Sequence, residues 1–239
     1  MRYELIIFDN DGVLEALQAT GFVKGTINRW PELHELAMGN DTLLHNPSDW
    51  LTVLAGDDIA GHQPDPFYVR AADGRYYDLS RELDLDAPYV SRGIATADVD
   101  GDGRLEFAVA NQWEPSVFYH NESRDAGAFL GLRLLLPTGS GAPAETQVWP
   151  GHPAQGPLGR PAIGAQATVY LSDGRRLSAQ VDGGNGHSGK RSSELHFGLG
   201  SGAPAVAQRV DLRWRDSGGQ VRQQQLTLEP GWHTIILGS

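Results

Sequence analysis

Residues 91–111 read S-R-G-I-A-T-A-D-V-D-G-D-G-R-L-E-F-A-V-A-N. At their centre lies D-x-D-x-D-G-x-x-E, formed by Asp98, Asp100, Asp102, Gly103 and Glu106. Carboxylates at alternate positions repel one another unless a hard cation accepts several of their oxygens at once, and Ca2+ is the usual such ion. Asp98, Asp100 and Asp102 would supply side-chain oxygens, Arg104 its backbone carbonyl and Glu106 the closing carboxylate. Gly103 permits the sharp turn that gathers them. The loop is not an EF-hand, because position twelve is Val109 rather than an acid. Leu105, Phe107 and Val109 alternate with Glu106, Ala108 and Ala110, a period-two pattern that predicts strand rather than helix on the C-terminal flank. Plain Asp-Gly turn chemistry would explain one or two of these acids, not four at this spacing.

Outward from this loop, the composition predicts an all-β chain. There are 30 glycines and 14 prolines in 239 residues, well above the ~12% typical of globular chains. Short alternating segments between turns follow the same logic. The net charge of -11 argues against nucleic acid or an anionic membrane as partner. The absence of cysteine removes disulfide and thiolate-metal chemistry. No signal-peptide pattern precedes the apolar run Leu5–Phe8, and no apolar stretch approaches the ~18 residues of a membrane span.

Residues 7–15 echo the central loop. Aligning Gly12 on Gly103 places Asp9, Asp11 and Glu15 on positions three, five and nine, with Ile7 where the first acid should be. This predicts a second, weaker metal loop. A competing reading exists for the same stretch. The phrase I-I-F-D-N-D-G-V-L is similar to the first motif of the haloacid-dehalogenase phosphatases. In that reading Asp9 would be the nucleophile, Asp11 the acid/base, and Gly56-Asp57-Asp58 the magnesium-binding pair. Fewer than ~50 residues separate the two motifs, whereas one βα step takes ~30, and no strand–helix alternation is visible.

Residues 26–66 predict an irregular insertion with a short helix near Trp30–Met38, started by Pro31 and stopped by Gly39. His34, His45 and His62 lack metal-ligand spacing. Phe67–Val69, Asp73-Gly74 and Tyr76–Leu79 read as a hairpin, and Val117–Asn121 as a further strand. Residues 137–163 are dense in Pro and Gly and predict a loop or linker. Beyond them, strands are expected at Ala167–Leu171, Arg176–Val181, Leu195–Gly198, Val210–Trp214, Val221–Leu228 and Trp232–Leu237, the spacing of a small β-sandwich or barrel. His187, Ser188, Lys190 and Arg191, among Gly183, Gly184, Gly186 and Gly189, could present an anion nest. No positioned nucleophile, base and orienter accompany them, so no reaction is expected there.

The order D-G-R-Y-Y-D-L, G-I-A-T-A-D-V-D-G-D-G-R-L-E-F-A-V-A-N, V-F-Y-H-N resembles the FG-GAP/VCBS repeats of integrin-α-like propellers, as in the cartilage acidic protein family. The phrases I-G-A-Q-A-T-V-Y, G-G-N-G-H-S-G, E-L-H-F-G-L-G and V-D-L-R-W resemble the ASPIC/UnbV domain that follows such repeats. His187 stands where that family often has Tyr, and Trp214-Arg215-Asp216-Ser217-Gly218 where it has Trp-Pro-Ser-Gly. The resemblance implies propeller-like blades over residues 1–130 and an ASPIC/UnbV domain over 131–239. It implies bound Ca2+ in a structural role, and an interaction or scaffold function rather than catalysis. Bacterial relatives lie in enediyne gene sets, which adds a biosynthetic or tailoring role, or a small-molecule ligand in the C-terminal half, as alternatives. The family is often exported. Residues 1–130 hold about two or three blades of ~40–50 residues, so a partial propeller covered by a protein partner or by self-association is expected.

Overall fold

A computed structural model describes residues 2–39, 45–138, 143–182, 192–200, 206 and 208–238. It is all-β, with 7% helix and 43% strand in several sheets and no closed barrel. No helix among the described residues is long and apolar enough to cross a membrane. The chain divides into two compact units. One comprises Met1–Leu5, Ala16–Ile94 and Ala108–Phe118, the other Ile6–Glu15, Ala95–Phe107 and Tyr119–Ser239.

The first half of the chain forms β1 (Arg2–Ile6), β2 (Glu15–Ala19), β3 (Ile27–Asn28), α1 (Trp30–Met38), β4 (Asp57–Asp58), β5 (Phe67–Arg70), β6 (Tyr76–Asp78), β7 (Ser91–Ala97), β8 (Glu106–Asn111) and β9 (Val117–Tyr119). One sheet has the order β1-β2-β5-β6 and another β7-β8-β9. The predicted insertion lies between β2 and β5, where β3 and β4 pair in parallel and α1 begins with Pro in its first turn and stops at Gly39. The β5–β6 hairpin turns at Gly74, whose φ of 83° only glycine adopts freely. Within the first unit, Asp65 is buried. It accepts hydrogen bonds from the Thr20 N–H (2.7 Å) and the Ser91 hydroxyl (2.6 Å), which tie together segments far apart in sequence. Burial raises its pKa despite those bonds.

The phosphatase expectation is not met. β1 is followed by its own sheet neighbour β2 rather than by a crossover helix, and α1 is the sole α-helix among the described residues. Asp57 sits in the short β4, where it accepts from the Leu54 N–H and pairs with Arg29 at 3.0 Å.

The second half forms β10 (Ala128–Leu136), β11 (Gln147–Pro150), β12 (Arg160–Pro161), β13 (Gln166–Tyr170), β14 (Arg176–Gln180), β15 (Leu195–Gly200), β16 (Gln208–Arg215), β17 (Val221–Leu228) and β18 (Gly231–Ile236). One sheet runs β14-β13-β16-β17. The other runs β11-β18-β10-β12, with β15 also on β10. β16 shows why they pack: Val210, Leu212 and Trp214 point inward, while Arg209, Arg213 and Arg215 point out. They meet Leu130, Leu132 and Leu134 of β10 and Phe197 of β15 in one buried cluster, at ~1.5–3 kcal/mol for each large side chain withdrawn from water. This is the sandwich alternative of the expectation. Three elements differ from it, the two-residue β12 in the stretch read as loop or linker being the smallest. Ala128–Leu136 carries no alternation to mark it as strand, yet it is the central strand, paired in parallel with β18 from Leu130↔Gly231 to Leu135↔Ile236. Gln147–Pro150, inside the Pro/Gly-rich stretch read as loop or linker, is a strand because β18 offers it an open edge.

Candidate metal centre

The two acid-rich loops fold on one plan, and both lie in the second unit. In the first, the Asp11 N–H donates to Asp9 Oδ1 (3.0 Å), the Val13 N–H to Asp11 Oδ1 (2.6 Å) and the Phe8 N–H to Glu15 Oε2 (2.8 Å). In the second, the Asp102 N–H donates to Asp100 Oδ1 (3.1 Å), the Arg104 N–H to Asp102 Oδ1 (2.8 Å) and the Val99 N–H to Glu106 Oε2 (2.8 Å). Each of these three bonds has its counterpart in the other loop when Gly12 is laid on Gly103. Those glycines turn at φ 82° and 87°, and Asn10 takes the left-handed conformation that Gly101 takes in the second loop. Asn tolerates it better than other non-glycine residues.

The loops differ at position one. Asp98 is buried and heavily bonded. Its Oδ1 accepts from the Gly101 N–H (2.7 Å), and its Oδ2 from the Gly103 N–H (2.8 Å) and the Trp232 indole N–H (2.6 Å). Ile7, its counterpart, is buried and has no oxygen to offer. The carboxylates of Asp98, Asp100 and Asp102 bring one oxygen each within 4.8 Å of one another, as do those of Asp9, Asp11 and Glu15. Burial pushes Glu15 up to about 8, with the charges of Asp9 and Asp11 adding to the effect. Burial likewise raises Asp11 and Glu106. Asp100 is lowered by its bond to the His120 ring, whose own pKa that bond raises. Arg104, read only for its carbonyl, also lays its guanidinium against Asp102 and donates from Nε to Asn121 O (2.9 Å).

Five residues tie these loops to partners that sequence distance hides. Asn10, buried, donates from Nδ2 to Gly103 O (3.0 Å) and accepts from His196 Nε2 (2.7 Å), so one amide ties loop to loop and both to β15. The His196 ring stacks on Phe129 at 5.2 Å. With Nε2 donating, Nδ1 keeps the lone pair. It is buried without a partner among the described residues, and burial lowers the ring to about 4. His152 donates from Nε2 to Asp98 O (3.1 Å), and Trp232 supplies the indole bond above. His120, just past β9, reaches Asp100. Beneath the first loop, Gly198 and Gly127 leave room for the Asn10 backbone, which a Cβ on either would strike at 2.7 Å.

Of the other histidines, His34 stacks on Trp30, and His62 bonds Gly25 O and faces Asp58 at 3.2 Å. His45 is exposed, and none of the three joins a metal-holding group among the described residues. His187, Ser188, Lys190, Arg191 and their glycines lie outside the described residues. A cavity of ≈ 250 Å³ lies beside Asp98, Trp232, His152, Arg133 and Glu194, below the ~300 Å³ at which small-molecule pockets begin.

Residues 156–239 match the model of the family described as ASPIC and UnbV. The matched span takes in β12 through β18 but not β10, the strand at the centre of the same sheet. No curated protein matches the chain.

Proposed function

We propose that the chain is a calcium-binding β-repeat protein in which acid loops of the FG-GAP/VCBS kind precede the ASPIC/UnbV domain. The observation that carries this is the shared hydrogen-bond plan of the two loops. Asp100 and Asp102 fold back on N–H groups two residues ahead, Asp98 on those of Gly101 and Gly103, and one oxygen each of the three lies within 4.8 Å of the others. Hard divalent cations select such converging oxygens. Asp98, Asp100, Asp102 and Glu106 would hold the ion, with Arg104 as carbonyl donor. Asp9, Asp11 and Glu15 would hold a second one more weakly, for want of an acid at Ile7. A bound ion stabilises the folded state in proportion to its occupancy, so its role here is structural. The function that follows is interaction or scaffolding through residues 1–130. A protein partner or a second copy covers the sheet edges, and association with enediyne biosynthesis follows only from the family resemblance.

The test is a thermal melt of the chain and of Asp100→Ala, each in calcium and in chelator. The starting protein should melt higher in calcium, and the variant should lose that increment. Coincident melts of the starting protein in the two conditions would end the calcium assignment. Sedimentation over a range of concentrations tests the partner assignment, which a concentration-independent monomer would remove.

A further inference from the structure

The second loop holds two overlapping groups of metal-ligating atoms. Besides Asp98, Asp100 and Asp102, one atom each from Asp100, Glu106 and His120 also lie within 4.8 Å of one another. The second set differs in kind, because it includes an imidazole nitrogen. Calcium takes oxygen ligands almost exclusively, whereas imidazole suits zinc and the later first-row metals.

Three observations bear on this set. Glu106 is 1% exposed, and only its Oε2 is used, by the Val99 N–H. The Asn121 N–H bears on the carboxyl and lowers its pKa, and Oε1 is buried with no hydrogen-bond partner of normal geometry among the described residues. An orphaned carboxylate oxygen is costly to bury, and a cation is the partner that would satisfy it. The second observation is the orientation of His120. Its Nε2 lies 3.0 Å from Asp100 Oδ2, while Glu122 Oε1 stands 4.0 Å from its other nitrogen. The ring nitrogen is therefore turned to the acid cluster, while Glu122 stands too far off to hold the ring by a hydrogen bond. The third is that the site is held from below. Phe107, next to Glu106, stacks on Tyr119, next to His120, at 4.6 Å, which fixes the two ligand-bearing positions against each other.

We propose that Asp100, Glu106 and His120 form a site for a borderline divalent metal ion of the zinc class, distinct in its donor set from the all-oxygen calcium group. It shares Asp100 and Glu106 with the calcium assignment and so rests partly on it. Asp102 belongs to the calcium group alone and His120 to the new one alone. One loop would then respond to two metals, and the two ions would compete for Asp100.

The experiment is calorimetric titration of the chelator-stripped full chain with zinc alone and, separately, with calcium alone. It is run on the starting protein and on His120→Gln, His120→Ala and Asp102→Asn. Gln can keep a hydrogen bond to Asp100 but is a poor zinc ligand, and His120 is exposed, so melts in chelator should be unchanged for both His120 variants. Zinc affinity should fall at least the ~10–100-fold that losing even an outer-shell partner costs in both His120 variants, and calcium affinity should hold in His120→Gln, which keeps the bond to Asp100. Asp102→Asn should show the reverse. Zinc affinity unchanged in His120→Gln and His120→Ala overturns the proposal and leaves the calcium assignment standing. Equal loss of zinc and calcium in His120→Gln also overturns it, since His120 would then only position Asp100. Zinc binding that depends on His120 with no calcium binding anywhere supports the proposal and removes the calcium assignment instead.

Discussion

Gly103→Ala separates two costs that the loop imposes on one residue. The first is backbone strain. At φ 87° an alanine costs ~1–2 kcal/mol. The second is steric. A Cβ there would stand 2.0 Å from Phe129 Cε1 and 2.4 Å from Cδ1. The ring cannot yield, being stacked on His196 and edge-on to Trp232 at 5.8 Å, so overpacking adds ~1–3 kcal/mol. Gly174 provides the control. It has the same φ of 87°, but nothing among the described residues lies within 4 Å of its would-be Cβ, so Gly174→Ala bears the strain alone. The expectation is a loss of ~2–5 kcal/mol for Gly103→Ala against ~1–2 for Gly174→Ala. Each kcal/mol moves a melting temperature by ~2–4 °C at this size. The assay is paired thermal and urea unfolding in chelator, so that no ion contributes. If Gly103→Ala were no worse than Gly174→Ala, the packing of the loop turn on Phe129 would be refuted.

Two further outcomes follow from the partners of the loops. Trp232→Phe deletes a charge-assisted bond to Asp98, and should lower calcium affinity ~10–100-fold as outer-shell losses do; calorimetry showing no change would mean the indole does not orient the ligand. His196 has a folded pKa of about 4 against an ordinary 6.5, so between those values the unfolded chain binds more protons than the folded one. Stability should be intact above about pH 6.5 and fall progressively as the pH drops toward 4, whereas His196→Gln should flatten that part of the urea-midpoint profile, and an identical profile would refute the assignment.

What could be read from the sequence was whatever depends on neighbours in the chain. The Asp98–Glu106 loop, its echo at Asp9–Glu15, the Asp73-Gly74 hairpin and α1 all follow from local chemistry, and the structure has each of the turns and elements expected. What escaped depends on pairing across long separations. Gln147–Pro150 has prolines around it and becomes strand only because β18 lies beside it. Ala128–Leu136 is a nearly continuous apolar run, which periodicity cannot distinguish from other buried segments. Around the loops the same limit applies. The acids were legible by their spacing, but Asn10, His152, His196 and Trp232 enter through contacts that no spacing rule connects. His120 reads as part of a strand, and its approach to Asp100 depends on where β9 ends.

The parallel pairing of β10 with β18 also sets an order in time. Leu130, Leu132 and Leu134 need Gly231–Ile236 as a neighbour, and β11 through β17 are all made between the two strands. At ~5–20 residues per second, the ribosome takes several seconds to span that interval. Throughout it, the most apolar strand of the sandwich has one edge without its native partner. Such an edge is the kind that finds another chain when its own is late, so the yield of folded protein should depend on how quickly, and how well shielded, the last strand arrives.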